Sequence, residues 1–329
     1  MQNSLVKELD HRLAGGGTVA YDEAMALMDF EGEDLIDLLD LANRIRQRHK
    51  GNRVSFCSIV NARSGNCSED CTFCAQSAHF KTGVQTYPMM SPEQILSAAA
   101  DAYHMKAQRF GIIISGRGIK FSPKQDVEQI LAAIRALKAD GRVIPDASLG
   151  TLSWETARLL KEAGLEGYHH NLETSARYFP FICTTHPYEE KIETIRIAKA
   201  TGFYACSGGI FGMGENRQDR VDMAFTLQEL DVDSVPLNFL VPIPGTPLAD
   251  VEGLPRSEMF KVIAVYRCLL PEKDLRVCGG RERHLGEDQD RMFEAGANAT
   301  MIGNYLTTMG RPAAEDLLMI ERLGLELVS

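Results

Sequence analysis

No run of about 18 apolar residues occurs in these 329 residues, so the sequence offers no membrane-spanning helix. The first residues, Met1 to Asp10, lack the apolar core of a secretory signal. Positive charge is also short. Lysine and arginine number 35 against 45 aspartates and glutamates, for a formal net charge of -10. That balance argues against nucleic acid or an anionic membrane as the main partner. Gly15-Gly16-Gly17 reads as a chain break, because it lacks the lysine and following hydroxyl of a phosphate loop. No linker or low-complexity stretch interrupts residues 54–310. These absences predict a cytoplasmic protein with no membrane or nucleic-acid partner. Its eight cysteines are then expected to be thiols or metal ligands, not disulfides.

With 44% hydrophobic residues, the chain has material for a large core. Residues 1–50 read as helical, with helix-period apolar positions over Glu23–Met28 and Asp34–Ile45 on either side of turn-prone Gly32. From about residue 54, eight short β-rich segments recur: Val54–Val60, Phe110–Ser115, Val143–Leu149, Gly167–Leu172, Phe203–Phe211, Ser234–Val241, Leu275–Cys278 and Ala299–Tyr305. Helix-like segments lie between them at Ser91–Ala107, Lys124–Leu137, Ser153–Ala163, Pro187–Ala200, Arg217–Leu230, Arg256–Leu269 and Asp288–Ala295. The alternation predicts an α/β fold, a (β/α)8 TIM-type barrel over residues 51–329. An N-terminal helical extension over 1–50 precedes it, and Ala313–Leu325 forms a closing helix. A doubly wound open sheet is the competing arrangement.

Three cysteines stand close together in Cys67-Ser-Glu-Asp-Cys71-Thr-Phe-Cys74, spaced C-x3-C-x2-C. Three thiolates from one loop suit a cubane [4Fe–4S] cluster, which normally takes four cysteines. With no fourth nearby, one iron stays open, as in catalytic metal sites. Zinc is the competing reading, but structural zinc prefers four ligands and paired C-x2-C units. The loop follows the first predicted strand, at the barrel end where active sites are built.

This spacing resembles the signature of radical S-adenosylmethionine enzymes. In that family S-adenosylmethionine ligates the open iron, and one electron from the cluster releases a 5′-deoxyadenosyl radical. The residues around it are similar to those of the biotin synthases. The stretches are Asn61 to Ser77, Ser148 to Ser153, Tyr168 to Ser175, Cys206 to Glu215, Ser234 to Asn238, Gly245 to Leu248 and Gly279 to Glu282. They cover nearly the whole chain in family order. The resemblance implies sulfur insertion into dethiobiotin, a flavodoxin- or ferredoxin-type reductant and a homodimer. A related radical enzyme without sulfur insertion, hydrogenase-maturase-like or methylornithine-synthase-like, is the alternative. A non-catalytic electron carrier ranks below both.

Carried over position by position, the resemblance implies that Cys67, Cys71 and Cys74 hold the [4Fe–4S] cluster, with Phe73 near the adenine. Ser115 and Gly116 would line the methionine moiety, Asn171 and Glu173 the ribose, and Lys191 the methionyl carboxylate. Asn171 and Asn238 would meet the ureido ring of dethiobiotin, and Thr307 and Thr308 its carboxylate. Asn171 and Glu173 share the parity of one strand face. His169 reads either as a second-layer donor or as a core histidine. Simple structural readings compete at several of these positions: core packing for Phe73, turns for Gly116 and the threonines, a strand-end cap for Asn171 and Glu173.

The chain departs from the family pattern at the auxiliary iron–sulfur cluster that donates sulfur. Of the three cysteines and one arginine implied there, Cys206 and Arg281 remain, while Gly111 and Asp146 replace the other two cysteines. Cys57 and Cys278 are unexpected gains. Cys57, Cys206 and Cys278 come from odd-numbered strands, whose inward residues share barrel layers. They form the expected ligand set of a relocated auxiliary cluster, either [2Fe–2S] or a larger four-iron type. Arg281 would ligate it or offset its charge, which makes it the expected catalytic residue, and Arg109 can assist. Small buried hydrophobes are the competing reading of Cys57 and Cys278. Cys183 and Cys268 read as structural.

Overall fold

Alternating inward and outward side chains, with both sheet faces covered, need a closed parallel sheet ringed by helices, and that is what forms. The computed structural model describes residues 3–328. The strands are β1 (Arg53–Arg63), β2 (Arg109–Ile114), β3 (Ile144–Ser148), β4 (Gly167–His169), β5 (Tyr204–Cys206), β6 (Gly209–Phe211), β7 (Ser234–Phe239), β8 (Asp274–Val277), β9 (Ala299–Met301) and β10 (Glu326–Leu327). β1 to β9 run in parallel around the wall, and β9 pairs back onto β1. The doubly wound alternative is thereby excluded. β10 adds to the start of β1.

The predicted strand Phe203–Phe211 is split. β5 pairs with β7 through Cys206 and Ser234, and β6 resumes that pairing at Gly209 and Leu237. Pro236 stands in β7 opposite the gap. It has no N–H to give to a ladder, so the neighbouring strand breaks there. Gly208 fills the gap because any Cβ would fall 2.0 Å from the Pro236 carbonyl oxygen. β5 and β6 are two halves of one wall position, which makes eight positions in all.

Helices cover the outside of the wall. Ser91 and Gln94 form a capping box at Pro92–His104, and Asn216 with Asp219 does the same at Arg217–Glu229. Left-handed Gly141 and Gly164 end Lys124–Asp140 and Trp154–Ala163. The buried stripe Ile130, Ala133, Ile134 and Leu137 shows the helical spacing that turns one face to the sheet. Three helices precede β1: α1 (Ser4–Ala14), α2 (Tyr21–Met28) and α3 (Gly32–Lys50). Leu38, Leu41, Ala42 and Ile45 of α3 join the same hydrophobic core as the barrel helices, and α3 lies along Arg256–Leu269. In place of one helix over Asp288–Ala295, the chain makes short helices at Arg281–Leu285 and Arg291–Glu294 around a 3-10 turn. Gly286, at φ +55, separates the first from the turn. No helix among the described residues is long and apolar enough to cross a membrane.

Candidate active site

The three-cysteine loop leaves the carboxyl end of β1 and folds back on itself. The Cys67 amide donates to the Gln76 carbonyl at 3.0 Å, the Ala78 amide to the Cys67 carbonyl at 2.8 Å, and the Cys74 amide to the Cys71 carbonyl at 2.9 Å. The Gln76 side chain accepts from Asn61 Nδ2 at 3.1 Å and from the Gly65 amide at 3.2 Å, which ties the loop to β1. Glu69 and Asp70 fix its outer side. Asp70 accepts from the Thr184 and Thr185 amides, and Glu69 lies 2.7 Å from Thr185 Oγ1 and 2.6 Å from His186 Nδ1. All eight cysteines are free, and Cys67, Cys71 and Cys74 are half-buried.

These thiols lie close enough to influence one another's ionisation. Burial pushes Cys67 up and Cys74 up to about 11. Cys71 is raised chiefly by its hydrogen bond with Cys183. The same interaction, together with His186, holds the Cys183 thiol below its ordinary value. A metal must displace the protons of its thiol ligands, and three sulfurs converging from one loop form a donor set suited to an iron–sulfur cluster. Cys183, read from sequence as structural, therefore interacts with Cys71 of the three-cysteine loop. Its ligand atom lies within 4.8 Å of those of Glu69 and His186. The spacing Cys183-Thr-Thr-His186 was the available signal.

A cavity of about 1090 Å³ borders the loop, with Arg63, Gly65, Tyr87, Ser115, Gly116 and Thr185 in its lining. Ser115 Oγ donates to the Gly65 carbonyl at 2.7 Å. Gly116 sits at φ +130, and a Cβ there would lie 2.9 Å from Arg63 Nη2. Asn171, Glu173 and Lys191 assemble separately, beyond β4. Strand pairing ends at His169 and returns at Glu173, which bridges Gly209. Lys191 Nζ donates to the Asn171 carbonyl at 3.1 Å. Glu173 adopts φ +73, and its buried Oε2 meets no donor. Burial raises its pKa. A strained, buried carboxylate with an unmet acceptor needs a ligand that donates to it. The hydroxyls of a ribose fit that need. Phe73 packs half-buried against the main core.

Deeper in the barrel, Cys57, Cys206 and Cys278 are each 5% exposed. Burial raises all three, Cys206 to about 12. Each is within electrostatic reach of the buried guanidinium of Arg276. Arg276 donates to the Thr300 carbonyl and to Ser55 Oγ, both at 3.2 Å. No carboxylate among the described residues forms an ion pair with it, although it is 3% exposed. The buried hydroxyl of Ser234 meets no hydrogen-bond partner in the same layer. Three buried thiols around an arginine without a carboxylate make a donor set that fits an anionic metal–sulfide group.

The neighbouring space is filled. Arg109 binds Asp146 through two hydrogen bonds, at 2.7 and 2.6 Å, and His169 Nε2 lies 3.1 Å from the same carboxylate. A Cβ at Gly111 would lie 3.2 Å from Ile59, 3.4 Å from Ile113 and 3.7 Å from His169. The positions of the two missing cysteines are thus a packed glycine and an ion-paired aspartate.

Family models described as Radical SAM superfamily and as Biotin and Thiamin Synthesis associated domain match residues 62–227 and 236–326. The chain is 48% identical over 324 residues to the biotin synthase of Citrifermentans bemidjiense, covering 98% of each chain. It is 49% identical over 319 residues to the biotin synthase of Geobacter sulfurreducens, covering 97% of this chain and 96% of the relative. The chain belongs to the biotin synthase family. It is accordingly a radical S-adenosylmethionine enzyme of the sulfur-inserting type. Its fold also matches methylornithine synthase, with a TM-score of 0.85 at 17% identity over 99% of this chain and 98% of that one. The [FeFe]-hydrogenase maturase of Carboxydothermus hydrogenoformans gives 0.82 at 15% identity, over 98% and 79%. At those identities the likeness is one of fold, and the carbon-skeleton and maturase readings are not favoured.

Within this biotin synthase framework, the arginine among the three cysteines is Arg276. Arg281 borders the same layer, within electrostatic reach of Cys278, but its hydrogen bonds run mainly to the closing segment. Its guanidinium donates to Asp316 at 2.7 Å, to Gln289 Oε1 at 2.5 Å and to the Met301 carbonyl at 3.3 Å. Asp316 also accepts from Arg311. Arg281 therefore locks the segment after β8 to the closing helix Ala313–Arg322. Asp316→Ala is expected to cost about 3–5 kcal/mol, because it removes the buried carboxylate bonded twice by a buried arginine. Chemical denaturation of the metal-free protein measures this. Parity was the missed signal: Arg276 precedes Cys278 by two and faces the same way. Asn238 donates to the Gly209 carbonyl at 3.1 Å and accepts from the Gly279 amide at 2.9 Å. One N–H and one lone pair of its amide remain for a ligand. Thr307 and Thr308 lie exposed in the loop after β9, which Asn61 Nδ2 anchors through the Leu306 carbonyl at 3.1 Å.

Proposed function

We propose that this chain inserts sulfur into dethiobiotin to form biotin, and that Cys57, Cys206 and Cys278 hold the auxiliary iron–sulfur cluster that donates it. The convergence of these cysteines on buried Arg276 carries the reading. When bound, the [4Fe–4S] cluster with S-adenosylmethionine supplies a hydrogen-abstracting radical, and the auxiliary cluster supplies sulfide.

The chain's own residues organise this chemistry in layers. Cys67, Cys71 and Cys74 hold the first cluster at the upper rim. Ser115 and Gly116 line the adjoining wall, while Phe73, Asn171, Glu173 and Lys191 hold S-adenosylmethionine. Glu173 accepts from the ribose with its otherwise unmet Oε2. Asn171 and Asn238 would position the ureido ring, and Thr307 and Thr308 would meet the substrate carboxylate. The buried wall keeps water away from the radical. Arg276 offsets the charge of three thiolates and cluster sulfide, as [2Fe–2S] or a larger four-iron type. Arg281 serves this site through the fold of the following segment. A flavodoxin- or ferredoxin-type reductant, a homodimer and a cytoplasmic setting complete the reading.

The decisive test is anaerobic reconstitution of Cys57→Ala/Cys278→Ala with iron and sulfide counted per chain. The variant is expected to lose all iron beyond the first cluster. It should form 5′-deoxyadenosine but no biotin from dethiobiotin. Wild-type iron and sulfide content in the variant removes these residues from the ligand set.

A further inference from the structure

A second cavity, of about 440 Å³, opens at the other end of the barrel. Its lining includes Arg109, Lys138, Ile144, Glu166, Gly202 and Tyr204. Arg109, Ile144 and Tyr204 are the first residues of β2, β3 and β5, so the cavity lies on the amino-terminal floor. The three-cysteine loop occupies the opposite rim.

Two of the lining side chains, Arg109 and Tyr204, also reach toward the inner thiols. Arg109 is the direct register partner of Cys57. Tyr204 precedes Cys206 by two and shares its face. The Arg109 guanidinium lies 4.1 Å over the Tyr204 ring, so the two form one partition. Each interacts electrostatically with the thiol behind it, Arg109 with Cys57 and Tyr204 with Cys206. Asp146 holds Arg109 through Nε and Nη2, and Nη1 meets no acceptor among the described residues. Three of the five N–H donors of a largely buried cation, two of them on Nη1, are thus left for a small anion. Lys138, in an exposed pair with Glu166, adds a second cation at the mouth. Ile144 is 40% exposed at this mouth.

We infer that this floor cavity is an entry port for hydrosulfide, which resupplies the sulfide that the auxiliary cluster gives up. The inference rests on the auxiliary-cluster reading above. S-adenosylmethionine and dethiobiotin would close the upper mouth when bound, whereas the floor cavity lies at the opposite end of the strands. In the step concerned, a hydrosulfide anion fills the position of a departed sulfide and releases its proton to the cavity. Neither sulfur nor iron changes oxidation state. In resting enzyme the same step is an exchange of labelled for unlabelled sulfide.

The test incubates reconstituted holoenzyme with isotopically labelled sulfide, without reductant, with the upper mouth closed by S-adenosylmethionine and dethiobiotin. Label in acid-labile sulfide is then read by mass spectrometry. Wild type is expected to take up label beyond the level of Cys57→Ala/Cys278→Ala. Ile144→Trp, which fills the mouth, loses that uptake at full iron content, while Ile144→Ala keeps it. Lys138→Glu, on an exposed helix end, slows uptake on the order of tenfold through lost electrostatic focusing. Its uptake also decides the matter if Ile144→Trp fails to fold. Uptake at the wild-type rate in Ile144→Trp, or in Lys138→Glu when the tryptophan variant is lost, overturns the port. So does its disappearance when the upper mouth is closed. Equal iron in wild type and the double cysteine variant instead overturns the auxiliary-cluster reading itself.

Discussion

Cys71→Ala is expected to reduce 5′-deoxyadenosine formation to background, while Cys183→Ala keeps it near wild type. The contrast matters because the two thiols influence each other's ionisation and only one belongs to the C-x3-C-x2-C loop. Cys71 lies on a loop whose backbone is fixed by Gln76 and by the Glu69–Asp70 anchor, so its sulfur is held in place relative to Cys67 and Cys74. Removing it leaves two thiolates, and a cubane with an open iron needs three from the protein. Cys183 stands on the segment that Glu69 and Asp70 grip, and its thiol also meets Thr185 Oγ1 at 3.5 Å and His186 Nδ1 at 3.3 Å. Its removal loosens that packing without taking a ligand. Iron content and 5′-deoxyadenosine, measured side by side with a chemical reductant, decide between the roles. Loss of the cluster in Cys183→Ala, or its survival in Cys71→Ala, would make Cys183 the ligand.

The barrel was legible because its signals are local. Period-two strands and period-3.6 helices alternate, and each predicted strand has a counterpart in the wall. The split at Ser207-Gly208 was not legible, because it is caused by Pro236, a residue of the neighbouring strand. The same limit separates Arg281 from Arg276. Gly279-Gly280-Arg281-Glu282 stands out as a motif, but the direction of a side chain after a left-handed glycine depends on how the chain leaves the strand. Gly280 sits at φ +84 with the Phe239 carbonyl 2.1 Å from where its Cβ would be, and this turns Arg281 toward Asp316. Asp146 was recognised as a lost thiolate. Its hold on Arg109 and His169 joins three strands, and no one-dimensional pattern records that.

Arg276→Met is expected to move stability and metal binding in opposite directions. A fully buried guanidinium without a carboxylate partner is costly in the metal-free protein, where its neighbours Cys57, Cys206 and Cys278 are protonated because burial raises them. Replacing such a charge with an apolar side chain of similar length is commonly neutral or stabilising, by about 1–4 kcal/mol. The metal-free variant should therefore unfold at an equal or higher denaturant concentration than wild type. With thiolates and sulfide in place the balance reverses, because the same charge then faces several negative ones. Auxiliary iron affinity should fall on the order of 10–100-fold, the usual cost of losing a residue that supports metal ligands. Biotin formation falls with it, whereas 5′-deoxyadenosine formation at the upper rim persists. Arg281→Met separates the two arginines: it strips a partner from buried Asp316, so it destabilises the metal-free chain and leaves auxiliary iron in the folded fraction unchanged. An Arg276→Met variant that is destabilised without metal yet retains its auxiliary iron would show that Arg276 only braces the wall through Ser55 and Thr300.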